Sequence, residues 1–277
     1  MQRGNDKEVV IRAGGSAADY WRDIWTYREL FAFLAWRDIL VRYKQTVLGV
    51  LWCVLKPVLT MVVFTVIFGK LARLPSDGVP YPVLVFAALL PWQFFSGALT
   101  ECSVSLINNA NLLTKVYFPR LIIPASSVAA TLVDFLISFV IMLGLMLYYG
   151  INPGWRLLLL PLFVGLAFFA SLGAGLLFAA LNVRYRDFRH IVPFVTQFGL
   201  FISPVGFSSD VVPQGWRLLY SLNPMVAAID GFRWSLTGNG MSLYLPGLYL
   251  SVAATVFLFA LGIWYFRHAE SSFADEI

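Results

Sequence analysis

Charge is scarce in this chain of 277 residues. Asp, Glu, Lys and Arg together make up 13% of it, about half of what a soluble domain carries. So few charges cannot clothe a water-facing surface, which excludes an ordinary soluble fold and turns much of the surface toward lipid. Histidine is nearly missing. His190 and His268 are the whole supply, and they make no convincing metal cluster. Cysteine is as rare: Cys53 and Cys102 both fall inside apolar runs, where a free thiol behaves as a small hydrophobe. No Gly-x-x-x-x-Gly-Lys-Ser/Thr loop occurs, and Gly69-Lys70 is followed by Leu71 in an apolar setting. Nucleotide phosphates therefore find no cradle of the usual kind. No nucleophile–base set is evident either, which argues against catalysis. The N-terminal stretch is no signal peptide: charges run through Arg37, Asp38, Arg42 and Lys44 with no short apolar core or cleavage site.

What the chain has instead is apolar length, with 59% hydrophobic residues. Six runs, at about 50–71, 82–104, 121–149, 157–183, 191–207 and 246–266, approach or exceed the roughly 20 residues that a helix needs to cross hydrocarbon. Lipid cannot satisfy exposed backbone groups, so these runs read as helices. The third and fourth are long enough to tilt or to project beyond the bilayer. The net charge of +5 could point to nucleic acid, but its placement does not. Eight of the twenty Lys and Arg residues precede residue 48, ahead of the first run, a pattern of orientation and anionic-lipid contact. With both termini in the cytoplasm, that side holds fourteen Lys and Arg residues and the other side five. The positive-inside rule places both ends inside a plasma membrane crossed six times.

Residues 25–43 give two narrow apolar stripes at helical spacing. Trp25, Ala32, Trp36, Ile39 and Tyr43 form one, and Leu30, Leu34 and Val41 the other. The Trp/Tyr stripe suits the headgroup boundary, while the second needs a protein surface. The segment 25–48 therefore reads as an amphipathic interfacial helix behind a flexible cytoplasmic tail, 1–24. A short cytoplasmic tail, 267–277, closes the chain. Between runs two and three, residues 108–119 read as a short helix with an Asn cluster to cap it, an apolar edge of Leu112, Leu113 and Val116, and Pro119 to end it. The loop 183–190 is short and basic, and topology control alone is its plainer reading.

The connection 208–244 is too apolar for an ordinary loop. Pro213 can start one helix, and Asn223-Pro224 can cap and start a second that stops at Gly238-Asn239-Gly240. Each would have roughly 9–13 residues, about 13–20 Å, too short to cross alone. The reading is a re-entrant pair within 211–238 that forms an outer gate.

Apart from Lys70 at the end of run one, three charges lie inside the runs. Lys56 and Glu101 sit at similar depth and can pair, which would offset part of the cost of a buried charge; a Lys56 that snorkels to the interface is the competing reading. Asp134 lies near the middle of run three, and either lines a pathway or makes an interhelix hydrogen bond. The cluster Pro91-Trp92-Gln93-Phe94-Phe95 should kink run two where bulky rings gather. Such rings offer faces on which sugar C–H groups can slide, although most aromatics of a membrane chain serve the interface or lipid.

These landmarks together carry a resemblance. Arg42 through Trp52 with Lys56-Pro57, then Pro91–Phe95, Asn111–Arg120, Asn182–Asp187 and Leu222–Met225, resemble the permeases of type-2 ABC exporters, and most closely those for O-antigen and teichoic acid. The resemblance covers residues 25 to about 235. It implies a homodimer joined to two copies of a separate ATPase subunit, which binds ATP and Mg; this chain holds no cofactor or metal. It makes 108–119 a coupling helix docking the ATPase through Asn111, Leu112, Leu113, Lys115, Val116, Tyr117 and Arg120, with Arg184 and Arg186 nearby. It assigns the channel to Trp52, Trp92, Phe94, Phe95, Phe198 and Phe201 beside Asp134. The gate becomes Trp216, Tyr220, Asn223, Pro224 and Trp234. The expectation is an all-α integral membrane protein that exports a lipid-linked polysaccharide from the bacterial inner membrane, with membrane lipid around it and no nucleic acid. A permease for a small hydrophobic drug or lipid is the first alternative. An enzyme acting on lipid-linked sugars lacks the expected acidic or His cluster, and a secondary transporter lacks internal repeats.

Overall fold

A computed structural model describes residues 17–44, 49–76, 78–152, 154–185, 187–238 and 243–273. Among these the chain is helical and contains no strand. Most of the expected tail 1–24 lies outside the described residues, but its end folds into α1 (Ala17–Thr26), followed by α2 (Arg28–Lys44). Leu34, only 2% exposed, seats α2 on the bundle, while Trp25 and Trp36 of the other stripe stay more than 60% exposed. The stripes separate only in part: Val41 of the protein-facing stripe is exposed, and Tyr43 of the other turns inward to Asp134.

Five helical segments are long and apolar enough to cross a membrane. They are Leu51–Leu71, Tyr81–Asn108, Ile122–Tyr148, Gly154–Arg184 and Leu245–Ala269. Helix α3 (Gly49–Phe64) begins the first, which then widens through Thr65–Leu71 into i→i+5 turns. Gly69 lies so close to the Tyr81 ring there that a Cβ would meet it at 2.8 Å. Helix α4 (Tyr81–Asn108) is the hub, with 78% of its apolar stretch buried against 17% for the first segment. It runs through Pro91 without a break and packs against α3, α6 (Ile122–Tyr148), α7 (Leu160–Arg184), α8 (Phe188–Ile202) and α10 (Pro224–Thr237). Helix α7 meets α11 (Leu245–Ala269) at glycines: a Cβ on Gly262 would lie 2.1 Å from the Gly173 carbonyl oxygen. Only small residues allow backbones so close. The Cys102 thiol fills the space beside Gly175 in the same way.

Helix α8 departs from the run of 191–207. It has 15 residues, about 22 Å, and stops at Ile202. Pro204 forces Ser203 into an extended conformation, φ −82° and ψ 155°, because an α conformation before proline is sterically disfavoured. The expected short helix at 108–119 is also smaller. Helix α5 covers Ala110–Lys115, and Val116 is already extended. The two helices of the 208–244 connection are α9 (Gln214–Tyr220), shorter than expected, and α10, slightly longer.

Candidate transport groove and coupling corner

A cavity of about 670 Å³ opens between α3, α4, α6 and α8. Its wall alternates ring faces with polar side chains. Trp52, Trp92, Phe94 and Phe135 supply rings, while Lys56, Gln93, Thr100, Glu101, Ser138 and Gln197 supply polar groups. Trp92 is held by packing on α8, where its ring blocks any Cβ on Gly199 at 2.5 Å. Phe94 reaches the wall from the core, between Phe135 at 5.7 Å and Phe168 at 6.5 Å. Of the channel residues expected from sequence, this cavity gathers Trp52, Trp92, Phe94 and Asp134. Phe95 is buried beside Trp92, with ring centroids 5.5 Å apart. Phe198 and Phe201 stand exposed on α8 outside the cavity, Phe198 against Phe194 and Phe201 near Phe64.

One end of the groove is closed by charge. Arg42, at the end of α2, forms an ion pair with Asp134 of α6 and another with Glu101 of α4 at 2.8 Å. The Tyr43 hydroxyl also donates to Asp134. Glu101 therefore takes Arg42 rather than Lys56, which instead lines the groove. Beyond this network lies a second cavity of about 420 Å³, bordered by Arg37, Asp38, Arg42, Glu101, Asn108 and Asn109. Arg42 with its two carboxylates stands between the two spaces. Sequence reasoning missed this partner of Asp134. A carboxylate deep in an apolar helix needs a cation, and Arg42 immediately before the first span was the available signal.

The same end carries α5. Arg37 donates to Asp38 and to the Asn109 side-chain oxygen, both at 2.8 Å, tying α2 to the start of α5. Of the Asn cluster expected to cap that helix, Asn109 takes the cap position, but its side chain makes no cap bond. Its amide donates to the Ser105 carbonyl at 2.8 Å instead, because the Arg37 guanidinium claims its oxygen. Around α5, Leu113 is buried and Leu112 half-buried, while Asn111, Lys115, Val116 and Tyr117 are exposed. Arg184 is exposed at the end of α7, above the Tyr185 ring; Arg186 lies outside the described residues. Arg120 points toward the end of α11.

At the opposite end, Asn223 caps α10 by accepting from the Met225 N–H at 3.0 Å, and its amide donates to the Ser203 hydroxyl at 2.9 Å. Pro224 takes the first helical position, as expected. Trp234 packs edge-on to Trp155 and beneath Arg156 at 4.8 Å. Trp216 is exposed, and the Tyr220 hydroxyl is buried beside a small cavity of about 50 Å³. A further residue went unnoticed in the sequence. Arg233, 1% exposed, donates to the carbonyls of Leu84, Val205 and Phe207 at 2.8–3.0 Å. Two of these, Val205 and Phe207, are backbone groups that the break after α8 leaves outside helical bonding. Counted in the sequence as a charge outside the spans, it is a buried structural cation.

An apolar bundle wrapped around a polar groove, with a charged corner at one end, defines a multi-pass helical membrane protein of the transporter class. The chain belongs to the ABC-2 type transporter family, which it matches over residues 29–237. It is 31% identical over 259 residues to the O-antigen export system permease protein RfbA of Myxococcus xanthus, covering 92% of this chain and 98% of that one. A protein of the same name from Klebsiella pneumoniae is 28% identical over 253 residues, or 89% and 94% of the two chains. The polysialic acid transport protein KpsM of Escherichia coli is 24% identical over 240 residues, or 85% and 92%.

Proposed function

We propose that this chain is the membrane channel subunit of an ATP-binding-cassette exporter that moves a lipid-linked polysaccharide of O-antigen, capsule or teichoic-acid type across the inner membrane. The groove is the observation that carries the reading. Ring faces pack on the apolar faces of sugars, and the interleaved amides and hydroxyls exchange hydrogen bonds with sugar hydroxyls, so a long glycan can slide without one deep binding minimum. The names of the relatives support the same substrate class.

In this reading α8 together with 203–207 completes a sixth crossing, both termini are cytoplasmic, and α9 and α10 dip into the outer side as a gate. Two copies of the chain join two copies of an ATPase subunit that holds ATP and Mg. The exposed Val116 and Tyr117 beside α5 form the docking face. Movement of α5 passes through Arg37–Asn109 to α2, and from α2 through Arg42 to α4 and α6, two of the four helices that wall the groove.

The test is intrinsic tryptophan fluorescence of the purified complex. Long lipid-linked glycans should quench it, and Trp52→Ala should remove a share of that response. Quenching by small amphiphiles but not by glycans would favour the drug or lipid permease instead.

A further inference from the structure

The link between α5 and α6 is held on its far side by the end of α11. The Glu270 carboxylate accepts from the Arg120 backbone N–H at 3.0 Å and from the Tyr20 hydroxyl of α1 at 3.4 Å. The Arg120 guanidinium donates back to the Glu270 carbonyl. Phe273, 1% exposed, packs on Phe266 at 5.2 Å and beneath Arg120 at 6.0 Å. Arg267 covers the Tyr20 ring at 4.6 Å. Segments 150 and 250 residues apart in sequence therefore meet at one carboxylate.

The position of this contact matters mechanically. Helix α5 has six residues, too few to be a stiff lever without tertiary support. Its start is fixed by Arg37–Asn109. Its exit runs from the exposed Val116 and Tyr117 into the buried Phe118 and Pro119. Were that exit free, a push on α5 would be absorbed by bending at Val116–Arg120.

We propose that Glu270, with Phe273, is a staple that delivers displacement of α5 to α11 and α1 as well as to α6. Glu270 is thus a positioning residue for coupled export. The proposal rests on the reading of α5 as the ATPase docking helix. It makes the turn after α11, Glu270 to Phe273, part of the transmission, although none of these residues lines the groove.

The experiment uses the full chain with its co-expressed ATPase partner in vesicles, reading glycan exported per ATP hydrolysed, ATPase co-purified, and melting temperature. Glu270→Ala should keep the ATPase bound and the melting temperature within about 2 °C, while lowering export per ATP about tenfold, within the usual range of coupling energies. Glu270→Gln keeps an acceptor oxygen and should restore most of the ratio. Tyr20→Phe, which loses a single hydroxyl, should lower the ratio about twofold and serves if Glu270→Ala does not accumulate. An unchanged ratio in both Glu270→Ala and Tyr20→Phe, or a loss that only follows the melting temperature, overturns the staple. Leu112→Asp with Val116→Asp separates the two claims. If that pair is defective and the staple variants are normal, α5 stands and the staple falls. If that pair is normal, the docking reading fails and takes the staple with it.

Discussion

Two pairs of arginines at opposite ends of the bundle, separated by the roughly 42 Å length of α4, bond differently. At the end that carries α1 and α5, Arg37 and Arg42 reach side chains: Asp38 on their own helix, and Asn109, Glu101 and Asp134 beyond it. At the opposite end, Arg233 and Arg156 donate to backbone carbonyls, Arg233 to three of them and Arg156 to Gly238. A side-chain ion pair can break and re-form as helices shift. A guanidinium that satisfies buried carbonyls has no substitute there, because those carbonyls would otherwise stand in apolar surroundings. The first end is built to rearrange and the second to stay.

The most disruptive way to break this comparison is Arg233→Ala. It orphans the buried Val205 and Phe207 carbonyls, each costing about 1–3 kcal/mol, and unties them from α4, so the protein should fail to accumulate in membranes, and Arg233→Lys should rescue it poorly because one ammonium cannot match the guanidinium fork. Quantitative membrane immunoblotting checks both. Arg42→Gln should be milder for folding and severe for function. It should leave detectable folded protein but lower export about tenfold or more, and Arg42→Gln with Asp134→Asn should recover much of the melting temperature because only the more exposed carboxylate, Glu101, is then left without its cation. Leu112→Asp with Val116→Asp should uncouple ATP hydrolysis from export without unfolding the spans, which paired ATPase and export assays read. Trp52→Ala, at an exposed groove wall, should slow export only about two- to fivefold, since one ring platform among several is worth about 1 kcal/mol.

The smallest effect concerns Glu270. Burial against Tyr20 and Arg120 raises its carboxyl above the ordinary carboxylate value, although Arg120, Arg267 and the Tyr20 hydroxyl pull the other way. A raised folded-state value means that the stability contribution of the protonated form is complete below the ordinary value and lost as pH rises through the raised one. Melting of the wild-type chain should therefore fall slightly across that window, and Glu270→Gln should flatten the slope.

The helical class, the five long spans and the outer caps were legible because each depends on local pattern: apolar length, or Asn-Pro and Pro at a helix start. What escaped depends on how helices rotate and which neighbour they meet. Glu101 and Lys56 lie at similar depth, but the end of α2 reaches Glu101 first. Phe198 and Phe201 sit on α8, whose groove-facing side is instead formed by Thr196, Gln197 and Leu200. Helix α8 ended early because the conformational effect of Pro204 on Ser203 outweighed the hydrophobicity of 203–207. Asn109 resembled a cap and became a partner of Arg37, a residue 72 positions away.

The central claim is that this chain contributes the groove and takes its power through α5 from another polypeptide. Reconstituting the purified chain in vesicles, alone and with its ATPase partner, tests it most directly by glycan translocation and phosphate release. The account predicts that both activities appear only with the partner and ATP present, and that Leu112→Asp with Val116→Asp abolishes translocation. Translocation or ATP cleavage by the chain alone would contradict it.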